Sequence, residues 1–159
     1  MSSSEMTAST IGGTELLTVE RVAALRRIEM FSTVPGDKLI AVARLLEEVR
    51  VAAGEAVITR GELEDWLFIV ANGRVRSHIG DRTLAEGGPG EIVGELAALV
   101  PAARAASVTA IESSLLLRLR RDVFGELLED QPAIARAVIE SLVRRLQGLA
   151  DETARDAGL

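Results

Sequence analysis

The segment from Gly90 to Ala110 contains the side chains of this sequence that are best suited to binding a small anion. The sequence of this segment is GEIVGELAALVPAARAASVTA, and the charged side chains in it that could bind a small ligand are those of Glu95 and Arg104. Arginine has a planar, permanently charged fork that suits a phosphate, and glutamate can accept hydrogen bonds from a sugar hydroxyl. The two residue types together predict a pocket for a small phosphorylated sugar.

Small residues surround this pair, and they allow a ligand to approach the backbone closely. They are Gly94, Ala97, Ala98, Ala102, Ala103, Ala105 and Ala106. We predict one short helical turn from Leu96 to Val100, ended by Pro101, because proline cannot continue a helix. The exposed N–H groups at the start of such a turn attract an anion.

Composition limits the class of protein. With 159 residues, 48% of them hydrophobic and 26% charged, the chain is long enough for one globular domain with a real core. The net charge of −6 argues against nucleic-acid binding through a basic surface. The sequence has no cysteine, which excludes disulfides, thiol catalysis and thiolate metal sites and suits a reducing compartment. No apolar run is long enough to span a membrane, so we expect a cytoplasmic protein.

The N-terminal part of the chain is predicted to be helical after a flexible start. Residues 1–14 are rich in Ser, Thr and Gly and are predicted to form a disordered tail. Apolar residues at helical spacing predict a helix from Glu15 to Ile28. A second helix, with an apolar face from Leu39 to Leu46, is expected to be capped by Asp37.

The middle of the chain changes to alternating apolar residues, which predicts short strands. The predicted strands cover 49–51, 56–58, 66–71, 75–79, 83–85, 107–111 and 115–119. Asn72-Gly73 is the strongest hairpin signal, and Gly80-Asp81 makes a second tight turn. Many short strands separated by glycine turns indicate a β-sandwich or a barrel-like roll.

The C-terminal part is again predicted to be helical. Asp122 is expected to cap a helix over Val123 to Leu128, and Pro132 to begin a longer helix. We expect Gly148 to weaken this longer helix and the acidic end from Asp151 to fray.

This pattern resembles the cyclic-nucleotide-binding domain family, which includes domains of catabolite activator protein, protein kinase A regulatory subunits and cyclic-nucleotide-gated channels. The similarity extends from about Leu17 to Leu146. Its most specific part is a phosphate-binding cassette, Gly94-Glu95-Leu96-Ala97 followed by Arg104-Ala105-Ala106-Ser107, with ten residues from Gly94 to Arg104. Further matches are Leu25-Arg26-Arg27-Ile28 through Phe31, Asp65 ahead of a Leu-Phe-Ile strand, and Gly54, Gly61, Gly73 and Gly90.

The resemblance implies a fold and an organisation. The fold is mainly β with flanking helices (α+β), an eight-stranded antiparallel jelly-roll-like β-roll with a short internal cassette helix. Residues 15–130 would form the roll with its N-terminal helices, and residues 131–159 a C-terminal lid helix with a frayed end.

The resemblance also implies roles for individual residues. Glu95 would bond the ribose 2′-hydroxyl, and Arg104 would pair with the cyclic phosphate. Backbone N–H groups near Leu96, Ala97 and Ala105 would complete the phosphate cradle, next to Gly94 and Ala106. Alanine at position 105, where cGMP-preferring members often have a hydroxyl residue, favours cAMP as the ligand over cGMP. No further cofactor or metal is implied.

The chain departs from the familiar pattern in its aromatic residues and at its end. It has no tyrosine, so an aromatic base cap is not visible. Leu142, Arg144, Arg145 or Leu146 of the last helix would have to cover the base. No helix-turn-helix segment follows that helix, so we expect no DNA binding by this chain. The partner expected besides the nucleotide is an effector domain or protein, or a second copy bound through the terminal helices.

Three classes of function remain open. The first is a regulatory sensor that binds cAMP or cGMP and passes the event on through its terminal helices. The second is a degenerate module of the same fold that binds no nucleotide and serves as an interaction or assembly domain, and the presence of Glu95 and Arg104 together argues against it. For these two side chains, a structural ion pair within the roll is the alternative to ligand binding. The third, a metal-dependent enzyme on a similar roll, ranks last because one histidine and no cysteine cannot build the usual metal cluster.

Overall fold

The computed structural model describes residues 15–94 and 99–158. Within these ranges the helical elements are α1 (Thr18–Arg26), a 3-10 turn (Glu29–Phe31), α2 (Gly36–Leu45), α3 (Arg121–Asp130) and α4 (Pro132–Asp156). The strands described there are β1 (Glu47–Val51), β2 (Ala56–Ile58), β3 (Trp66–Asn72), β4 (Val75–Ile79), β5 (Arg82–Gly87), β6 (Ile92–Val93), β7 (Ser107–Ala110) and β8 (Ser114–Arg120).

The strands form two four-stranded sheets that face each other. The first sheet has the order β1-β8-β3-β6 and the second the order β2-β7-β4-β5. Every strand pairing within the two sheets is antiparallel. The predicted jelly-roll-like β-roll with flanking helices is therefore confirmed, with β6 as a strand that the alternation of apolar residues did not indicate.

The first sheet is buried on both faces, which explains the unbroken apolar run in β3. Because side chains alternate along a strand, Leu67 and Ile69 point to one face, and Phe68 and Val70 to the other. Leu67 and Ile69 belong to the helix-side cluster, whose buried members also include Leu25, Phe31, Leu117, Leu119, Phe124 and Ile134. Phe68 and Val70 belong to the roll-interior cluster, with Val51, Ile58, Val75, Val108, Ala110 and Leu116.

The turn at Asn72-Gly73 joins the two sheets instead of making a hairpin. β3 pairs with β6 and β8, whereas β4 pairs with β5 and β7, so the two strands that flank the turn do not pair. Gly73 has φ +95, and a Cβ there would lie 2.6 Å from the Cα of Ser114. The glycine is needed for this close crossing, so the hairpin prediction is wrong. Gly80-Asp81 does join a true hairpin, β4–β5.

The helix ends also differ from the predictions. The N-cap position of α2 is Pro35 and that of α3 is Arg120, and neither side chain makes a capping hydrogen bond. Asp37 and Asp122 lie in the first turns of these helices, so their predicted cap positions are wrong. An acidic side chain in the first turn still interacts favourably with the helix dipole. The helix α4 continues without a break through Gly148 to Asp156 and does not fray at Asp151.

A buried arginine ties the N-terminal helices to the roll. Arg21, on α1, donates from Nη1 to the carbonyls of Ala43 (3.2 Å) and Leu46 (2.6 Å), at the end of α2. Its Nη2 lies 3.1 Å from Oε2 of the half-buried Glu48 in β1. The unpaired carbonyls at the end of a helix need such donors, so Arg21 acts as a side-chain cap for α2.

Candidate functional site

Arg104 is held in place by the loop between β2 and β3. The backbone N–H of Arg104 donates to the carbonyl of Glu62 at 2.9 Å, and the N–H of Gly61 donates to the carbonyl of Arg104 at 2.9 Å. These two hydrogen bonds fix the position of the Arg104 backbone, which lies just ahead of β7 in the chain. Only 3% of its side chain is exposed, although arginine is seldom buried unless its charge is paired.

The guanidinium of Arg104 is oriented by three neighbours. Nε donates to Oε1 of Glu64 at 3.3 Å, Nη1 to the carbonyl of Gly94 at 3.1 Å, and Nη2 to the carbonyl of Trp66. These bonds use three of the five N–H groups that an arginine fork offers. The fork therefore has a fixed plane and position, as recognition of a planar anion or a phosphate requires.

Gly94 and Arg104, ten residues apart in the predicted cassette, lie against each other. Gly94 has φ +84, a conformation that glycine adopts without strain. A Cβ at this position would come within 2.6 Å of Nη1 of Arg104 and within 3.2 Å of Cδ1 of Ile58. Glycine is therefore required both for its conformation and for the space that the guanidinium fills.

We expect Gly94→Ala to weaken binding of any anion at Arg104 by roughly tenfold, since the new methyl group displaces the guanidinium and strains the backbone by about 1–3 kcal/mol. Titration calorimetry with cAMP measures the change. Gly54→Ala is the matched control, because Gly54 also has a positive φ but no atom lies within 4 Å of its Cβ position. Equal affinities of the two variants would contradict the role of Gly94.

Ala105 and Ala106 follow Arg104 with little side chain to block access. Ala105 is exposed and Ala106 is half-buried. Within the described ranges, no residue accepts a hydrogen bond from the N–H of Ala105 or Ala106. The cradle predicted at Ala105 needs an N–H group without a protein acceptor, and it stays a prediction. The other predicted site residues, Glu95, Leu96 and Ala97, lie outside the described residues.

Glu64 is a site residue that the sequence analysis missed. Its side chain is 28% exposed, and its carboxylate lies beside the buried Arg104. The acidic loop before β3 carries Glu62, Glu64 and Asp65, of which Asp65 is the residue that matches the family pattern. Asp65 instead pairs with Nη2 of Arg121 at 3.1 Å, and its carbonyl accepts the N–H of the same residue. Asp65 thus joins β3 to the start of α3, and among the described acidic residues of this loop it is the Glu64 side chain that pairs with Arg104.

Two clefts lie away from Arg104. One, of about 370 Å³, separates the 3-10 turn and the loop at Pro89 from α4. The other, of about 670 Å³, lies beside α1. Arg144 spans the first cleft and pairs with Glu29 at 3.4 Å, which links α4 to the 3-10 turn. Neither cleft is lined by Arg104, so we place the candidate site by its chemistry and not by cavity volume.

The single tryptophan is already stacked. The guanidinium of Arg118 lies 4.0 Å from the centroid of the Trp66 ring, and that of Arg120 lies 5.5 Å away. A ring covered by two cations is engaged in cation–π contacts.

In the part of the chain that the structure describes, no group of three or more His, Asp or Glu side chains is arranged to hold a metal ion. No helix in that part is long and apolar enough to cross a lipid bilayer.

Comparison with known protein families gives a match that covers more than half of the chain. Residues 48–131 match the model of the cyclic nucleotide-binding domain. This span includes all the described strands of the roll, apart from the first residue of β1. It also includes Gly94, Arg104 and Glu64.

Individual relatives show the same similarity. The Cyclic AMP receptor protein of Thermus thermophilus is 38% identical over 99 residues, which are 59% of this chain and 46% of that protein. The lysophospholipase nte1 of Aspergillus fumigatus is 31% identical over 119 residues, 72% of this chain but 8% of that protein. The chain thus spans less than half the length of either relative.

A solved structure has the same roll. The regulatory domain of Toxoplasma gondii PKA with cAMP superposes with a TM-score of 0.69 at 28% identity, over 84% of this chain and 52% of that one.

Proposed function

Because the chain belongs to the cyclic nucleotide-binding domain family, we propose that it is a regulatory sensor that binds a cyclic nucleotide, cAMP in preference to cGMP. In this proposal Arg104 binds the cyclic phosphate and the N–H groups of Ala105 and Ala106 donate to it. Glu95 binds the ribose 2′-hydroxyl, and Leu96 and Ala97 contribute backbone N–H groups. The partner in the relay is an attached or separate effector.

The main support for this proposal is the buried, oriented guanidinium of Arg104. A surface arginine would serve poorly, since water screens its charge and its side chain must be ordered on binding. Arg104 is 3% exposed, and Glu64, Gly94 and Trp66 hold it. A preorganised charge of this kind binds an anion at low entropic cost.

The preference for cAMP rests on Ala105 and on two relatives. An alanine side chain offers no hydroxyl to hydrogen-bond a guanine, so cGMP gains nothing over cAMP at this position. The Thermus protein is a cyclic AMP receptor by name, and the Toxoplasma domain was solved with cAMP.

The proposed relay passes through the helices that cover the first sheet. Ile134 and Val138 of α4 share the helix-side cluster with Phe31 of the 3-10 turn and Phe124 of α3. Leu99, in the predicted cassette turn, packs against the same cluster, so a shift of the cassette can reach α4 through packed side chains. The ligand can favour the lid-closed state only to the extent that it binds that state more tightly than the open one.

Titration calorimetry with cAMP, cGMP and 5′-AMP tests the proposal. We expect cAMP to bind most tightly and 5′-AMP much more weakly. The 3′,5′-ring fixes the phosphate relative to the ribose, so that one rigid ligand can meet Arg104 and Glu95 together, whereas the free phosphate of 5′-AMP must first be ordered. The absence of both heat and chemical-shift changes at millimolar cyclic nucleotide would overturn the proposal.

A second candidate is the assembly module without a ligand, and one observation favours it. Three N–H groups of Arg104 are already bonded to protein acceptors, as those of a purely structural arginine would be. In that case the chain would show no response to any of the three nucleotides. The same titration therefore separates the two candidates.

A further inference from the structure

The larger of the two clefts lies beside α1 and takes no part in the proposed nucleotide site. Its volume of about 670 Å³ is within the range of small-molecule sites, roughly 300–1,000 Å³. Ala23 and Ala24 line it on α1, and Ala71 of β3 and Leu115 of β8 line it on the first sheet. These four side chains have no polar atom, so they favour a ligand with an apolar body.

Two exposed polar side chains of the cleft, those of Arg27 and Asn72, offer hydrogen-bond donors. Arg27 follows the last residue of α1. Asn72 accepts the N–H of Gly73 with Oδ1 at 2.9 Å, which leaves its Nδ2 as a donor. Among the described residues, neither the guanidinium of Arg27 nor Nδ2 of Asn72 has a protein acceptor. The donors left in the cleft therefore suit an anionic head group.

The carboxylate of Glu20 also lines the cleft, and it sets the direction in which an anion can bind. Glu20 and Arg27 are seven residues apart, so about 10 Å of helix separates them. Oε1 of Glu20 accepts the N–H of Leu17 at 2.8 Å, at the start of α1. An anion is therefore attracted to the Arg27 end of the cleft and repelled from the Glu20 end.

We propose that the cleft binds a free long-chain fatty acid. Its carboxylate accepts hydrogen bonds from Arg27 and Asn72, and its hydrocarbon chain lies along Ala23 and Ala24 towards Leu16, which also lines the cleft. A nucleotide or a sugar has too many polar groups for these walls, since each polar group that is buried without a partner costs binding free energy. A cationic amphiphile would meet the like charge of Arg27. An unbranched carboxylate is the ligand class that satisfies both the donors and the walls.

Titration calorimetry of the intact chain with dodecanoate, at concentrations below micelle formation, tests the proposal. We expect saturable binding of one molecule per chain. Decanoate should bind about fifteenfold more weakly, which is the loss expected for two methylene groups. Dodecyltrimethylammonium has the same hydrocarbon chain with the opposite charge, and it should bind more weakly than dodecanoate by about tenfold or more.

Two substitutions separate the role of the charge from that of the walls. Arg27→Gln should lower the affinity for dodecanoate by about tenfold, since the carboxylate loses its cationic partner. Ala23→Trp should abolish binding, because the new side chain fills the cleft; Ala23, unlike Arg27, does not line the smaller cleft. Arg44→Gln and Ala41→Trp are the matched controls. Both residues are exposed on α2 and lie outside the cleft, so these changes should leave binding unchanged.

Three results of the titrations would overturn the proposal: no saturable heat with dodecanoate, equal affinities of Arg27→Gln and Arg44→Gln, or undiminished binding by an Ala23→Trp protein that circular dichroism shows to be folded. Sedimentation with phosphatidylglycerol vesicles without binding of soluble dodecanoate would also overturn it, because the chain would then recognise a membrane surface.

The proposal goes beyond nucleotide binding, and its measurements contain no nucleotide. Failure of the dodecanoate titration would therefore leave the sensor proposal standing, and failure of the nucleotide titration would leave the fatty-acid site standing.

Discussion

Replacement of Arg104 by alanine is expected to lower the affinity for cAMP by about 2–5 kcal/mol, or roughly thirtyfold to a few thousandfold. The reason is that the phosphate would lose its charged partner in a place where water cannot replace it. The side chain of Arg104 is 3% exposed, and its fork is aligned by Glu64 and by the carbonyls of Gly94 and Trp66. Titration calorimetry of wild type and variant measures the loss directly.

The variant must be shown to be folded, because Arg104 also makes three bonds to the protein. Urea unfolding without ligand gives that information, and Arg104→Lys supplies a second variant that keeps the charge but loses the fork. We expect Arg104→Lys to fall between wild type and alanine. Arg74→Ala is the matched control: Arg74 also pairs with a glutamate, Glu86 at 3.0 Å, but its side chain is 49% exposed.

Two outcomes of this series would be decisive. A folded Arg104→Ala protein whose cAMP affinity lies within about threefold of wild type would show that the phosphate binds elsewhere. A large loss of affinity in Arg74→Ala would mean that the effect is not specific to the buried arginine. The ligand should also stabilise the wild type against unfolding, by about 2.7 kcal/mol at a hundred times its dissociation constant, and should stabilise Arg104→Ala by less than about 1 kcal/mol at the same concentration.

The roll was predictable because its strands have strong local patterns. The unbroken apolar run of β3 follows from a sheet that is covered on both faces. Gly94 and Arg104 were predictable as a pair because the spacing of a phosphate cassette is short and specific, and the structure places their atoms in contact. Such features depend on residues that are close in sequence, so a local sequence pattern is enough to predict them.

The features that were missed depend on residues that are distant in sequence. Asn72-Gly73 has the composition of a hairpin turn, but which strands pair is decided by the apolar faces of both sheets. Glu64 lies forty positions from Arg104 in the sequence. Arg21 on α1 contacts Glu48 in β1, which follows α2 in the chain. Nothing local distinguishes such a carboxylate from its acidic neighbours. The arginine of the candidate site could therefore be predicted from the sequence, whereas the carboxylate that pairs with it could not.

Phe124→Ala is expected to lower the free energy of unfolding by about 3–5 kcal/mol, the usual cost of removing a buried phenylalanine ring. Phe124 lies on α3, is fully buried, and shares the helix-side cluster with Phe31 of the 3-10 turn and Ile134 of α4. The ring therefore fills the space in which the terminal helices pack on the first sheet. The expected loss is a large fraction of the roughly 5–15 kcal/mol by which domains are usually stable.

Urea unfolding followed by circular dichroism measures this loss, with Leu63→Ala as the control. Leu63 is 78% exposed, so its truncation should change the free energy of unfolding by less than about 0.5 kcal/mol. A loss below about 1 kcal/mol in Phe124→Ala would mean that the neighbouring side chains collapse into the cavity. The helices would then not be packed tightly enough on the sheet to carry a shift of the cassette to α4, and the proposed relay would need another route.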